Sequence, residues 1–94
     1  MSTIDPLTRL HVTVRGEVQG VGFRWFTLET ADSLGLTGWV RNREDGSVEA
    51  EAQGTEEALS TFVARLKSGN PSAKVDSIET GPVAVKKETA FTII

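Results

Sequence analysis

The sequence predicts an α+β sandwich in the order β-α-β-β-α-β. Both helices lie on one face of an antiparallel sheet, and a short extra strand follows at the C-terminus. Three observations carry this expectation. Apolar and polar residues alternate in Leu10–Arg15 and again in Val48–Gln53, the period of a half-buried strand. Apolar residues recur at helical spacing between Phe23 and Leu34 and between Ala58 and Leu66. Glycine-rich and turn-forming stretches separate these segments.

Each element has its own reason. Met1–Arg9 is polar and holds Asp5-Pro6, so residues 1–9 are expected as a flexible tail and 10–94 as the single domain. Leu10, Val12 and Val14 alternate with His11, Thr13 and Arg15 in the first strand. Gly16–Gly22 reads as a loop. Phe23, Phe26, Thr27, Thr30, Ala31 and Leu34 then share one arc of a helical wheel, with Trp25 opposite, and Gly35 stops that helix. Gly38–Asn42 is the second strand. Arg43-Glu44-Asp45-Gly46 is a hairpin turn, since Asp-Gly accepts positive φ. Val48, Ala50 and Ala52 alternate with Glu49, Glu51 and Gln53. Thr55 is placed to cap the second helix, whose stripe is Ala58, Leu59, Phe62, Val63 and Leu66. Val75–Val85 is extended with an interruption at Gly81-Pro82, and Phe91–Ile94 is the last strand. Two helices with one apolar face each need a sheet to cover. This is the split β-α-β, ferredoxin-like plan, with the first and third strands adjacent at the centre and the other face of the sheet open to water.

Composition narrows the functions. With 94 residues the chain is one domain. Hydrophobic residues make up 38% of it, enough for a core and against disorder. Ten basic and thirteen acidic residues give a net charge of −3, the wrong balance for general binding to nucleic acid or an anionic membrane. There is no cysteine and one histidine, which removes disulfides, thiolate metal sites, thiol catalysis and histidine-cluster metals. No apolar run reaches the ~20 residues of a membrane span, and the N-terminus lacks a hydrophobic signal core. The expectation is a soluble cytoplasmic protein, and nothing in the sequence demands more than a monomer.

Gly16-Glu17-Val18-Gln19-Gly20-Val21-Gly22-Phe23-Arg24 runs from strand through a glycine-rich loop into a helix. Glycines let successive N–H groups converge, and a helix N-terminus adds free donors and partial positive charge. Such a segment can cradle an anion, but the pattern is not a phosphate-binding loop of the lysine-containing type or a dinucleotide fingerprint. Arg24 opposes the helix dipole by ~0.3–1 kcal/mol. An anion held between its planar guanidinium and the loop amides would explain it, as would an ion pair with Glu17 or Asp45. The residues alone leave both readings open. Asn42 likewise reads as a turn residue or as a polar group for chemistry.

A resemblance decides among these readings. Val18-Gln19-Gly20-Val21-Gly22-Phe23-Arg24, with Asn42 closing Gly38-Trp39-Val40-Arg41-Asn42 eighteen positions on, resembles the acylphosphatase family. The similarity continues in Asp45-Gly46-Ser47-Val48-Glu49-Ala50, Gln53-Gly54 and Pro71-Ser72-Ala73-Lys74-Val75, and it spans Leu10 to Ile94. Trp25 stands where tyrosine is more usual, and Asn70 where a second proline is common. The resemblance implies hydrolysis of a small acyl phosphate to a carboxylate and inorganic phosphate, without metal or cofactor. Arg24 matches the family's phosphate-binding arginine and Asn42 its water-orienting asparagine. Gln19, Gly20, Val21, Gly22 and Phe23 form the substrate-binding loop. Chemically the assignment is coherent. The carboxylate is a good leaving group, charge develops on phosphoryl oxygens that N–H donors and Arg24 can stabilise, and an amide can orient water although it cannot serve as a base.

The remaining polar and aromatic residues are expected to be structural. His11 is a surface or edge residue, Glu49 and Glu51 a solvated face, and Lys86-Lys87-Glu88 a charged turn. Trp25 and Trp39 are partly buried, and Phe62 and Leu66 are core. Three other functions compete. An RNA-binding module of the same element order would carry base-stacking aromatics on its central strands, and Ser47–Gln53 has none. A non-catalytic anion-binding regulatory domain would not need Asn42. A carbamoyl-phosphate-handling part of a larger maturation protein would continue into further domains, so a free-standing enzyme is preferred.

Overall fold

The computed structural model describes residues 6–94. Strand β1 (Thr8–Glu17) points Val12 and Val14 into the core, and Arg9 and His11 to the opposite face. The chain continues through α1 (Phe23–Ser33), β2 (Thr37–Asn42), β3 (Val48–Gly54), α2 (Glu56–Ser68), β4 (Lys74–Val83) and β5 (Phe91–Ile93). The strands lie in the order β4-β1-β3-β2-β5, with β1 beside β3 as the topology requires. Val12, Val14, Val40, Val48, Ala50 and Ala52 form the floor of the core. Phe23 and Ala31 of α1, and Leu59, Phe62 and Leu66 of α2, cover it.

The structure corrects five expectations. First, the sheet is mixed. β5 pairs parallel with β2, through Gly38–Phe91, Trp39–Thr92 and Val40–Ile93. The cause is direction: β4 runs down to the end of the sheet where β2 begins, so a strand returning beside β2 must run with it. Second, β1 continues to Glu17 past a register shift at Arg15/Gly16, which shortens the loop. Third, Gly81-Pro82 does not interrupt β4. β4 is an edge strand, where a proline can sit without breaking the ladder.

Fourth, Arg9 is not tail. Residues 1–5 of the expected tail lie outside the described residues, but Thr8 and Arg9 belong to β1 and Arg9 is fully buried. Its Nε is 2.7 Å from Glu51 Oε1, and its Nη1 is 2.5 Å from Glu88 Oε1.

Fifth, the face away from the helices is not simply open to water. Gln53 donates to Lys86 O and accepts from Lys86 N, both at 2.8 Å, so the crossover from β4 to β5 is stitched over Arg9. Beside this, Glu49 bridges His11 (2.5 Å) and Arg41 (2.6 Å). Burial raises the Glu49 pKa, but the hydrogen bonds from His11 and Arg41 outweigh it and hold the carboxyl below its usual range. Glu51 is lowered in the same way, against burial, by Arg9 and then Lys86.

Candidate active site

The loop between β1 and α1 is pinned at both ends by the core. Val18 and Phe23 are each 1% exposed, so residues 19–22 form a short bridge between two buried anchors. Gly20 and Gly22 have φ of 77° and 76°. This left-handed conformation strains any residue with a Cβ, which explains glycine at both positions. Gly22 is also the N-cap of α1 and supplies no side chain to cap it.

The N-terminus of α1 is therefore left open. Its first internal bond is Phe26 N to Gly22 O at 3.0 Å. No group among the described residues accepts from the N–H groups of residues 19–25. The first turn holds no acidic residue, so no side-chain carboxylate offsets the dipole there. The two alternative partners of Arg24 are not used. Asp45 turns to Arg15, at 3.3 Å, and accepts from the Ser47 hydroxyl and N–H. Those two bonds first, helped by Arg15, hold the Asp45 carboxyl down to about 2. No ion pair joins Arg24 to a carboxylate among the described residues.

Asn42 closes β2 opposite Val48, just before the turn in which Arg43 N donates to Ser47 O. Its Oδ1 is buried and has no hydrogen-bond partner among the described residues. Such an orphaned acceptor costs about 1–3 kcal/mol, so its retention calls for a role. Asn42 and Arg24 line one cleft of about 180 Å³. Gly20, Gly22, Phe23 and Val18 complete the loop side, and Trp25 and Ile93 form the remaining wall.

The other expected site residues divide by which part of them is free. Gln19 has its side chain engaged: Nε2 donates to Arg43 O and Ser47 O, both at 2.8 Å. This ties the loop to the hairpin that follows Asn42 and leaves the Gln19 backbone N–H as the donor it can offer an anion. Val21 packs against the core, and Phe23 lies in it with its ring 5.9 Å from Phe26. Neither side chain carries a polar group, so what they can offer an anion is also backbone. Trp25 corrects the expectation of partial burial, being 59% exposed, while Trp39 is half-buried. Ile93 reaches the cleft through the parallel pairing of β5, which nothing in its local sequence announces.

Comparison with known proteins identifies the family. The acylphosphatase family model matches residues 10–93. The acylphosphatase of Nitrobacter hamburgensis is 51% identical over 85 residues, covering 90% of this chain and 85% of that one. The chain belongs to the acylphosphatase family. The crystal structure of acylphosphatase from Bacillus subtilis superposes with a TM-score of 0.89 at 42% identity, over 95% of this chain and 99% of that one. A crystal structure of full-length HypF in its phosphate- and nucleotide-bound form gives the same TM-score at 28% identity. There the match covers all of this chain but 12% of the other. This chain is thus an acylphosphatase enzyme, a hydrolase of the family whose substrates are small acyl phosphates. No helix among the described residues is long and apolar enough to cross a membrane.

Proposed function

We propose that the cleft between the β1–α1 loop and the end of β2 is the site of hydrolysis, with Arg24 and Asn42 as its catalytic residues. The phosphoryl group sits in the N–H groups of residues 19–24 and against the Arg24 guanidinium. Both are fixed before the reaction, so they stabilise developing charge without reorganising. The Asn42 side-chain amide hydrogen-bonds a water and directs the water oxygen at phosphorus. The new P–O bond forms as the bond to the acyl oxygen breaks. The carboxylate leaves with the electron pair, and the water proton passes to a phosphoryl oxygen of the substrate. No metal or cofactor takes part.

The observation that carries this reading is that Asn42, whose Oδ1 has no hydrogen-bond partner among the described residues, lines the same cleft as Arg24. A binding site for phosphate alone has no use for a buried acceptor, because phosphate oxygens repel it. The same reading has the enzyme act as a cytoplasmic monomer on a free small molecule, and the net charge of −3 disfavours nucleic acid.

The test is hydrolysis of benzoyl phosphate in excess EDTA by the native protein and by Asn42→Ala. The native protein turns over. The variant loses about 10²-fold in kcat, on the scale of one positioned polar group, and keeps its inhibition by inorganic phosphate. Equal loss of turnover and phosphate affinity would make Asn42 structural. A folded native protein without turnover would leave a non-catalytic anion-binding domain.

A further inference from the structure

Trp25 lies immediately beyond the arginine, on the side of α1 turned away from the core, and it is the one exposed aromatic residue among the described residues. A single exposed apolar residue is ordinary and needs no explanation. Trp25 differs because it shares its cleft with Arg24 and Asn42, and because a second apolar wall, Ile93, faces the same space. Ile93 comes from the far end of the chain, held there by its pairing with Val40. The cleft is therefore two-sided: cationic and rich in N–H donors along the loop, apolar along Trp25 and Ile93.

An acyl phosphate has the same division, with charge on the phosphoryl end and none on the hydrocarbon of the acyl end. At about 180 Å³ the cleft is below the roughly 300–1,000 Å³ of pockets that enclose a drug-sized ligand. A phosphoryl group fits within it, and the acyl group lies outward against its rim. We infer that Trp25 and Ile93 form an acyl-group subsite that selects aromatic and branched aliphatic acyl phosphates over short ones. The inference rests on the phosphate placement proposed above. Trp25 offers its indole to a flat acyl group by offset or edge contact, and Ile93 adds apolar surface in the same cleft. A charged acyl group gains nothing there and loses hydration.

The experiment compares kcat/KM for benzoyl phosphate and acetyl phosphate in the native protein, Trp25→Ala, Trp25→Phe and Ile93→Ala, with inhibition by inorganic phosphate measured in each. Trp25→Ala lowers the benzoyl-to-acetyl ratio about three- to tenfold, the range an aromatic contact supports. Trp25→Phe retains most of the ratio, Ile93→Ala shifts it in the same direction, and phosphate inhibition stays constant throughout. An unchanged ratio in both alanine variants overturns the subsite. So does a loss shared equally by the two substrates, which marks damage to the phosphate cradle. If phosphate fails to inhibit the native protein, the placement of the phosphoryl group is itself wrong, and the subsite falls with it.

Discussion

The two helices begin in opposite ways. At α2, Thr55 Oγ1 accepts from Ala58 N at 3.1 Å, and Glu56 and Glu57 occupy the first turn. That is a capped N-terminus with its dipole balanced. At α1 the N-cap is Gly22, the first turn has no acid, and Arg24 adds positive charge to a positive helix end. Both helices lie on the same sheet and contribute to the same core, so packing does not explain the contrast. One helix start is built for stability. The other leaves its donors without partners among the described residues, as the proposed phosphate site requires.

This contrast can be broken at either helix. Arg24→Gln is expected to have the largest effect, a loss of about 10²–10³-fold in kcat/KM for benzoyl phosphate, in line with removal of one preorganised donor. A loss below tenfold would mean that the loop amides do the work alone.

Next in size, Arg9→Ala removes the arginine partner of Glu51 and Glu88 and is expected to cost about 3 kcal/mol of stability in urea unfolding. The arginine lies at the opposite end of the sheet from the cleft, so turnover of the folded fraction should be unchanged. A change in kcat would show that the two ends are coupled. Thr55→Ala removes the cap of α2 and is expected to cost about 1 kcal/mol, again with turnover intact. If it lowers activity as much as changes at α1 do, the division between a structural and a functional helix start fails.

Much of this contrast is legible in the sequence. Gly20, Gly22 and Arg24 in a strand-to-helix loop already mark the start of α1 as unusual, and Thr55 before Glu56-Glu57 marks α2 as ordinary. Both are local signals, read from neighbours within a turn. The failures are non-local. Arg9 is paired with residues 42 and 79 positions away, so its burial has no local trace, although the alternation of β1 extends back to it. Glu49 and Glu51 alternate like solvated residues, but the face they line is built from ion pairs with other strands. The parallel pairing of β5, and with it the place of Ile93, depends on where the crossover lands. The Gln19 side chain points to the hairpin, and only the three-dimensional approach of residues 43–47 reveals that.

The central claim is that α1 trades helix stability for anion binding through Arg24. Thermal unfolding of the native protein and Arg24→Gln, each with and without inorganic phosphate, tests it most directly. Without phosphate the variant should unfold a few degrees higher, because removing a cation from a helix N-terminus recovers ~0.3–1 kcal/mol. With phosphate at about 100 times Kd the native protein should gain about 2.7 kcal/mol, and the variant little or nothing. A variant that is less stable without phosphate, or that gains as much from phosphate as the native protein, would contradict the account.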